Sequence, residues 1–485
     1  MKKFASIAVV VVLLLAAAIY YGNLNKKNTT PTPDPDPDPV VKVKKPTPKE
    51  DKPDTSATMD GTLKLTAATS HGYIAKDSIA DIYATIDVQA VKYDGKKRPP
   101  LNVAIVIDRS GSMAGDKIVH AKAAAKRLVD LLDEGDRVSI VSYGSDVSVD
   151  FSSRPVSVSN RGMMLSAIDG IDVSGGTNLS GGYEKGLSEV QRWKTPESIN
   201  RVILMSDGNA NIGVTYLPEL ERMARNGLNN SVSLSSIGVG LDYNEDLMTR
   251  MANEGAGNYY FVDNATAIAQ VFETELKGLA STIARNTALV IKLAPGVSVD
   301  ALYGFPYQQT NGSLMISLAE FRSEQAKNIL FKLKAPGDLD GKRAIMDVSL
   351  SYTDMINDDK LQHQTVSLAS VVTADTTKAQ TAVDSRVIAR VQQIEVANAM
   401  QDAMKKYEEG DTAGAADVID RQQRRMRSAR KKYDLKDDSW DRVDNELSSM
   451  KTSVKSTSNR SDSGRKMIKK KKARSNYILF EADAF

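Results

Sequence analysis

Hydrophobic and polar residues alternate strictly near the start of the folded chain. Ala80, Ile82, Ala84, Ile86 and Val88 interleave with Asp81, Tyr83, Thr85, Asp87 and Gln89. A period of two puts each set on one face of a strand, so the segment predicts a sheet with one wet face. The pattern returns far downstream. Ile329, Phe331 and Leu333 alternate with Lys332 and Lys334, and Met346, Val348, Leu350 and Tyr352 alternate with Asp347, Ser349 and Ser351. With Leu63, Leu65, residues 289–293, Val366 and Leu368, these strands predict a β-sandwich in two separated parts, residues 59–99 and 285–375.

The segment between them, residues 100–284, has a different rhythm. Residues 101–107 are a nearly continuous apolar run, as in a strand covered on both faces. Helical spacing follows in 118–132. Short apolar runs at 138–141, 201–205, 232–239 and 259–262 then alternate with helical stretches near 163–168, 183–191, 217–226, 246–253 and 267–283. Alternating strands and helices predict an α/β, Rossmann-like, doubly wound and mostly parallel sheet. It would be inserted into the sandwich, which is tolerated when the ends of the inserted domain lie close together. Residues 376–450 carry an apolar stripe at Ile388, Val391, Ile394, Val396, Ala399 and Met404, a turn at Glu408 to Asp411, and renewed helical spacing over 415–426. They predict a C-terminal α-helical hairpin. Residues 451–485, with four successive lysines from Lys469 to Lys472, read as a basic, disordered tail.

The N-terminus changes the picture. Lys2 and Lys3 precede an uncharged, largely apolar run over residues 4–21, so residues 1–24 read as a signal anchor or signal peptide. Because Ile19, Tyr20 and Tyr21 continue the apolar stretch, an uncleaved anchor is favoured. In residues 25–58, Pro33, Pro35, Pro37 and Pro39 alternate with Asp34, Asp36 and Asp38. Proline at alternate positions bars helix and favours extended polyproline, a semi-rigid stalk. The expected location is extracytoplasmic: tethered to a membrane by the apolar segment, at a cell surface or in a periplasm, or else secreted. The 485 residues include no cysteine, so no disulfide framework supports the fold. A net charge of only +3 gives no global reason to expect a nucleic-acid partner.

Candidate chemistry gathers in the inserted segment. Ligands of an open α/β sheet bind at the carboxyl ends of strands, near the point where strand order reverses. Directly after the first strand stand Asp108, Arg109, Ser110, Gly111 and Ser112. A Gly175-Gly176 turn presents Thr177, and the run over 201–205 leads into Ser206 and Asp207. Asp-x-Ser-x-Ser alone could be a helix N-cap with its hydroxyls on free N–H groups; the three segments together point to a hard divalent cation. Such an ion takes oxygen ligands in near-octahedral geometry and keeps several waters. Ser110, Ser112 and Thr177 can supply hydroxyls directly, while Asp108 and Asp207 bind through waters or orient the hydroxyls. Neutral inner ligands leave the ion much of its charge, so an open position would attract an incoming carboxylate.

At these residues the chain resembles a von Willebrand factor type A domain over roughly residues 101–283, and the three segments resemble its metal-ion-dependent adhesion site. The resemblance maps the metal ligands onto Asp108, Ser110, Ser112, Thr177 and Asp207. It implies Mg²⁺ or Mn²⁺ and a partner protein whose Asp or Glu completes the coordination sphere. The flanking sandwich and helical hairpin look like those of bacterial exported members. The expected function is metal-dependent protein binding, in adhesion or assembly. The alternative is a scaffold whose ion only braces the loops while the sandwich or hairpin binds the partner.

No enzyme is expected. Asp108 as a phosphoryl nucleophile, in a Mg-dependent hydrolase, would want a second acid on its loop, where Ser110 and Ser112 stand instead. The sequence contains no Walker A loop. His71, His120 and His363 are scattered, without metal-ligand spacing, and Trp193 and Trp440 read as packing residues.

Overall fold

The computed structural model describes residues 53–95, 98–207, 210–241, 243–262, 265–310, 312–435 and 439–480. The expected signal anchor and nearly all of the expected stalk lie outside these residues. Asp51–Phe485 cluster as one compact unit.

The chain first lays down β1 (Ser56–Met59), β2 (Leu63–Thr69), β3 (Tyr73–Ala75) and β4 (Ile79–Ala90). The described residues thus begin inside the interval assigned to the stalk, and Asp54 already bridges to Ala369. Next come β5 (Leu101–Asp108), a single 3-10 turn at Gly111–Met113, α1 (Asp116–Leu131), β6 (Arg137–Tyr143), β7 (Val147–Pro155), α2 (Val158–Asp169) and α3 (Leu179–Arg192). They are followed by β8 (Ile199–Ser206), α4 (Leu217–Asn229), β9 (Ser233–Val239), α5 (Glu245–Glu254), β10 (Ala256–Val262) and α6 (Ala265–Ala280). The strands of this segment form one sheet in the order β10-β9-β8-β5-β6-β7, parallel except for the edge strand β7.

Why β5 reads as an unbroken apolar run is now plain. Val103, Ile105 and Ile107 join the core beneath α1, α2 and α6, whereas Ala104 and Val106 join the core beneath α3, α4 and α5. Burial on both faces removes the alternation that a half-wet strand shows. On the second face the approach is close: a Cβ on Gly186 of α3 would stand 2.4 Å from Val106 Cγ2. Helix α6 stops at Ala280, short of the expected Ile283, which already lies in the next strand.

That strand is β11 (Thr282–Leu293), followed by β12 (Ser298–Tyr303), β13 (Gln308–Thr310), β14 (Ser313–Arg322), β15 (Ala326–Pro336), β16 (Gly341–Asp354) and β17 (Lys360–Thr373). With the N-terminal strands they make two sheets, β1-β2-β4-β15-β12 and β13-β14-β11-β16-β17-β3. Ile82, Ile86 and Phe331 of the first share a core with Leu289, Ile316 and Val348 of the second. The α/β segment connects at one end of these sheets, where Met355 N donates to Ile283 O at 3.0 Å. At the other end lie Asp54 and the loop from His71, since β17 pairs with β3 there through Val371 and Tyr73.

The rest of the chain is α7 (Thr376–Thr381), α8 (Ser385–Glu408), α9 (Thr412–Lys432), α10 (Ser439–Ser456) and α11 (Asp462–Phe480). Here the sequence expectations need correction. The hairpin of α8 and α9 exists, turning through Gly410 at φ +91°, but it is half of a larger helical assembly. Met400, Met404 and Tyr407 pack with Ile419 and Met426, with Trp440, Leu447 and Val454, and with Ile468 and Ile478 in one core. Residues 451–480 are therefore not a disordered tail. The lysines of α11 are neutralised from distant helices, Lys471 by Glu446 at 2.7 Å and Lys472 by Glu408 at 2.9 Å. The outer face of β4 and β15 is also drier than alternation suggested, because α8 covers it. Arg390 donates to Asn328 Oδ1 at 2.6 Å and to Ile478 O at 3.0 Å, tying α8, β15 and α11 together.

Candidate metal site of the inserted domain

Strand β5 lies between β6 and β8, so strand order reverses there and a crevice opens at the carboxyl ends of β5 and β8. The two strands deliver Asp108 and Asp207 to that crevice, and both residues are buried. Asp108 is held entirely by the protein: Oδ1 accepts Ser110 N at 2.8 Å and Oδ2 accepts the Ser206 hydroxyl at 2.7 Å. Burial holds its carboxyl above the usual carboxylate range; the bonds from Ser110 and Ser206 oppose this and the charge of Asp207 adds to it. Tyr143 is fully buried close by, its hydroxyl donating to Met205 O at 3.1 Å, and burial and then Asp108 push that phenol well up.

Toward solvent, the hydroxyls form a chain. Ser110 Oγ lies 3.1 Å from Ser112 Oγ, and Ser112 Oγ donates to Asp207 Oδ1 at 2.8 Å. Thr177 arrives on the neighbouring loop, which is pinned where Gly111 N donates to Gly175 O at 3.0 Å. Its own backbone is fixed by Asn211 Oδ1, which accepts from Thr177 N at 2.8 Å. Four of the expected residues, Asp108, Ser110, Ser112 and Asp207, thus stand in one hydrogen-bonded set. The fifth, Thr177, is placed beside them through backbone contacts.

Three further residues serve the site, and of these only Ser206 stands in a segment the sequence singled out. Ser206 fills the second oxygen of Asp108, and Tyr143 lies beneath it. Lys117, in the first turn of α1, places its ammonium against Asp207 Oδ2 and donates to Ser112 O at 3.2 Å. Gly240, after β9, makes room for this lysine: a Cβ there would lie 3.1 Å from Lys117 Cε. A cationic group thus already rests on the acid of the cradle. The donor set of hydroxyls and carboxylates is nevertheless the kind a hard cation takes, so the residues present fit one, with Lys117 competing for Asp207. Among the described residues no three His, Asp or Glu side chains gather as a metal-binding group, so a cation site here depends on hydroxyl oxygens.

Residues 102–274 match the family model of the von Willebrand factor type A domain. The chain carries a von Willebrand factor type A domain. The chain is 31% identical over 212 residues to the uncharacterized protein YfbK of Escherichia coli (strain K12), an alignment covering 43% of this chain and 36% of that one. Inter-alpha-trypsin inhibitor heavy chain H2 of Mus musculus is 30% identical over 165 residues, 33% of this chain and 17% of that one. The chain therefore spans well under half the length of either relative. Beyond the type A domain, the fold as a whole resembles a solved von Willebrand factor type A protein from Catenulispora acidiphila, at a TM-score of 0.67 and 15% identity, covering 88% of this chain and 98% of that one.

Other expected residues stand apart from the type A domain's cradle. Trp440 packs in the helical core as expected, but Trp193 is 45% exposed, with the Arg137 guanidinium 4.2 Å above its ring. Among the described residues no helix is long and apolar enough to cross a membrane; the apolar run over residues 4–21 is not among them.

Proposed function

We propose that this chain is a metal-dependent protein-binding module that grips an Asp or Glu of a partner through a divalent cation, Mg²⁺ or Mn²⁺. Ser110, Ser112 and Thr177 would hold the ion directly, with Asp108 and Asp207 orienting hydroxyls and bound water. When bound, the ion supplies a Lewis-acidic position for the incoming carboxylate. This chain's own residues do the rest. Asp108, accepting from Ser110 N on one oxygen and the Ser206 hydroxyl on the other, fixes the loop and keeps acceptor capacity for bound water. The Gly111 contact with Gly175 sets the distance between the two hydroxyl-bearing loops.

The observation that carries the reading is the linked chain from Ser110 through Ser112 to Asp207, built from alcohols rather than from a ring of acids. A relative named as the heavy chain of a trypsin inhibitor agrees with a protein-directed role. We further propose that residues 1–24 tether the module to a membrane on its extracytoplasmic side and that the Pro-rich segment is its stalk, as in bacterial exported proteins. The test is partner capture from a membrane extract by wild type and Asp108→Ala, with Mg²⁺ and with chelator. Capture by wild type alone, and only with metal, is expected; equal capture in all four conditions overturns the reading.

A further inference from the structure

The run from Lys469 to Lys472 is the most basic stretch of the sequence, yet folding consumes much of it. The exposed basic surface lies elsewhere, on α9. Between Arg421 and Lys432 this helix carries seven cations and no acid. Its buried face presents Ala415, Val418, Ile419, Gln422 and Met426 to the helical core. At about 100° per residue, positions 421, 424, 425, 428, 431 and 432 fall on the opposite face. All six, Arg421, Arg424, Arg425, Ser428, Lys431 and Lys432, are exposed.

The helix's cations are partly compensated, most fully at the N-terminal end of the stripe. Arg421 pairs with Asp417 at 3.3 Å, and Glu395 and Asp402 of α8 line the groove beside Arg421 and Arg425. Arg427 and Arg430, off the stripe, are bound by Asp444 and Asp441 of α10. Arg424, Lys431 and Lys432 keep their charges toward solvent, so the C-terminal half of the face remains strongly positive.

Its place in the fold says what it faces. Helix α8 starts beside Ser70, where Asp384 N donates to Ser70 O, and ends beside the type A domain, where Lys472 bridges Glu408 and Asp246. Helix α9 returns in the opposite sense. Its last residue, Lys432, is close enough to His71 to help hold that imidazole below its ordinary value, after burial. The loop at His71 also packs against the first described residues: Thr69 N donates to Thr55 O at 2.8 Å, and a Cβ on Gly72 would meet Pro53 Cγ at 3.2 Å. Lys378 lies there too, 4.3 Å above the Tyr73 ring. The metal cradle is on the far side of the type A domain, at the strand ends opposite those attached to the sandwich.

We infer that the basic face of α9, with the pole around His71, docks on a membrane surface of anionic lipid and so points the metal cradle away from it. Clustered lysines and arginines on an amphipathic helix are attracted to anionic headgroups, each contributing about fivefold in partitioning, and salt screens the attraction. The orientation rests on the proposed tether of residues 1–24, because that segment would deliver the chain to this pole; the lipid binding itself does not.

The experiment uses Asp51–Phe485, the compact unit that carries all the described cores. The unit is sedimented with vesicles of phosphatidylcholine alone or with phosphatidylglycerol added, at low and high salt. Binding to the anionic vesicles only, released by salt, is expected. The quadruple variant Arg424→Gln, Arg425→Gln, Lys431→Gln, Lys432→Gln should lose roughly several-hundredfold in partitioning. The control Lys64→Gln, Lys92→Gln, Lys185→Gln, Arg192→Gln removes the same exposed charge elsewhere and should lose far less. Equal loss in both variants, equal binding to neutral vesicles, or tighter binding to duplex DNA at matched phosphate concentration overturns the inference. None of these outcomes touches the metal reading, whose assay uses partner capture.

Discussion

Glu245 opens α5 of the type A domain and is only 6% exposed, packed where that domain meets α11. Lys469 Nζ stands 3.9 Å and Lys472 Nζ 4.0 Å from its carboxylate, and the Tyr259 hydroxyl lies 3.5 Å away. Burial nevertheless dominates, with Asp246 and Glu408 adding to it against the two lysines, and the carboxyl is pushed up to about 7 from 4.5. Burial also lowers Lys469, whose ammonium rests 4.0 Å over the Tyr243 ring and donates to Tyr243 O at 3.2 Å. A folded-state value above the unfolded one means that the folded chain holds the proton longer. The stability this contributes is complete below pH 4.5 and is lost as pH rises through 7. At about 1.4 kcal/mol per pH unit the interface between α5 and α11 weakens by about 3 kcal/mol across that window. Glu245→Gln stays neutral and removes the penalty. Hydrogen exchange of the α5 and α11 amides, compared at matched pH, should show little difference at pH 5. At pH 8 the variant should exchange up to about a hundredfold more slowly. Faster exchange in the variant at pH 8 would refute the reasoning, since Glu245 would then be acting as the charged partner of Lys469 and Lys472.

Two further changes test the type A domain itself. Lys117 brings a positive charge to the acid that a metal would need, so Lys117→Met, which keeps most of the stem, should tighten Mg²⁺ binding about tenfold in titration calorimetry; unchanged or weaker binding would show the lysine to be a loop brace instead. Gly186→Ala drives a methyl into Val106 across the packing of α3 on β5 and should cost about 1–3 kcal/mol in urea unfolding, against an expectation of no loss if the helix simply slides outward.

The elements most legible in the sequence were those whose contacts are set by local periodicity. Strands β4, β15 and β16 declared themselves by alternation, and β5 by its lack of it, because one face or two faces of burial leave different records in the chain. The cradle was legible for a related reason. Asp108, Ser110 and Ser112 sit within five positions of one another, and Thr177 and Asp207 each follow a recognisable turn or strand. What stayed hidden depends on partners remote in sequence. Nothing near Lys117 announces Asp207, ninety residues away, or the space left by Gly240. The lysines of α11 read as a solvated tail because charge density in a short window says nothing of Glu245, Glu408 and Glu446, which arrive from three other helices. The same window made α9 look like an ordinary helix, although its cations are the ones left facing water. Composition over a segment reports how much charge it carries; only the fold decides which charges are spent on the chain's own acids and which remain for something outside it.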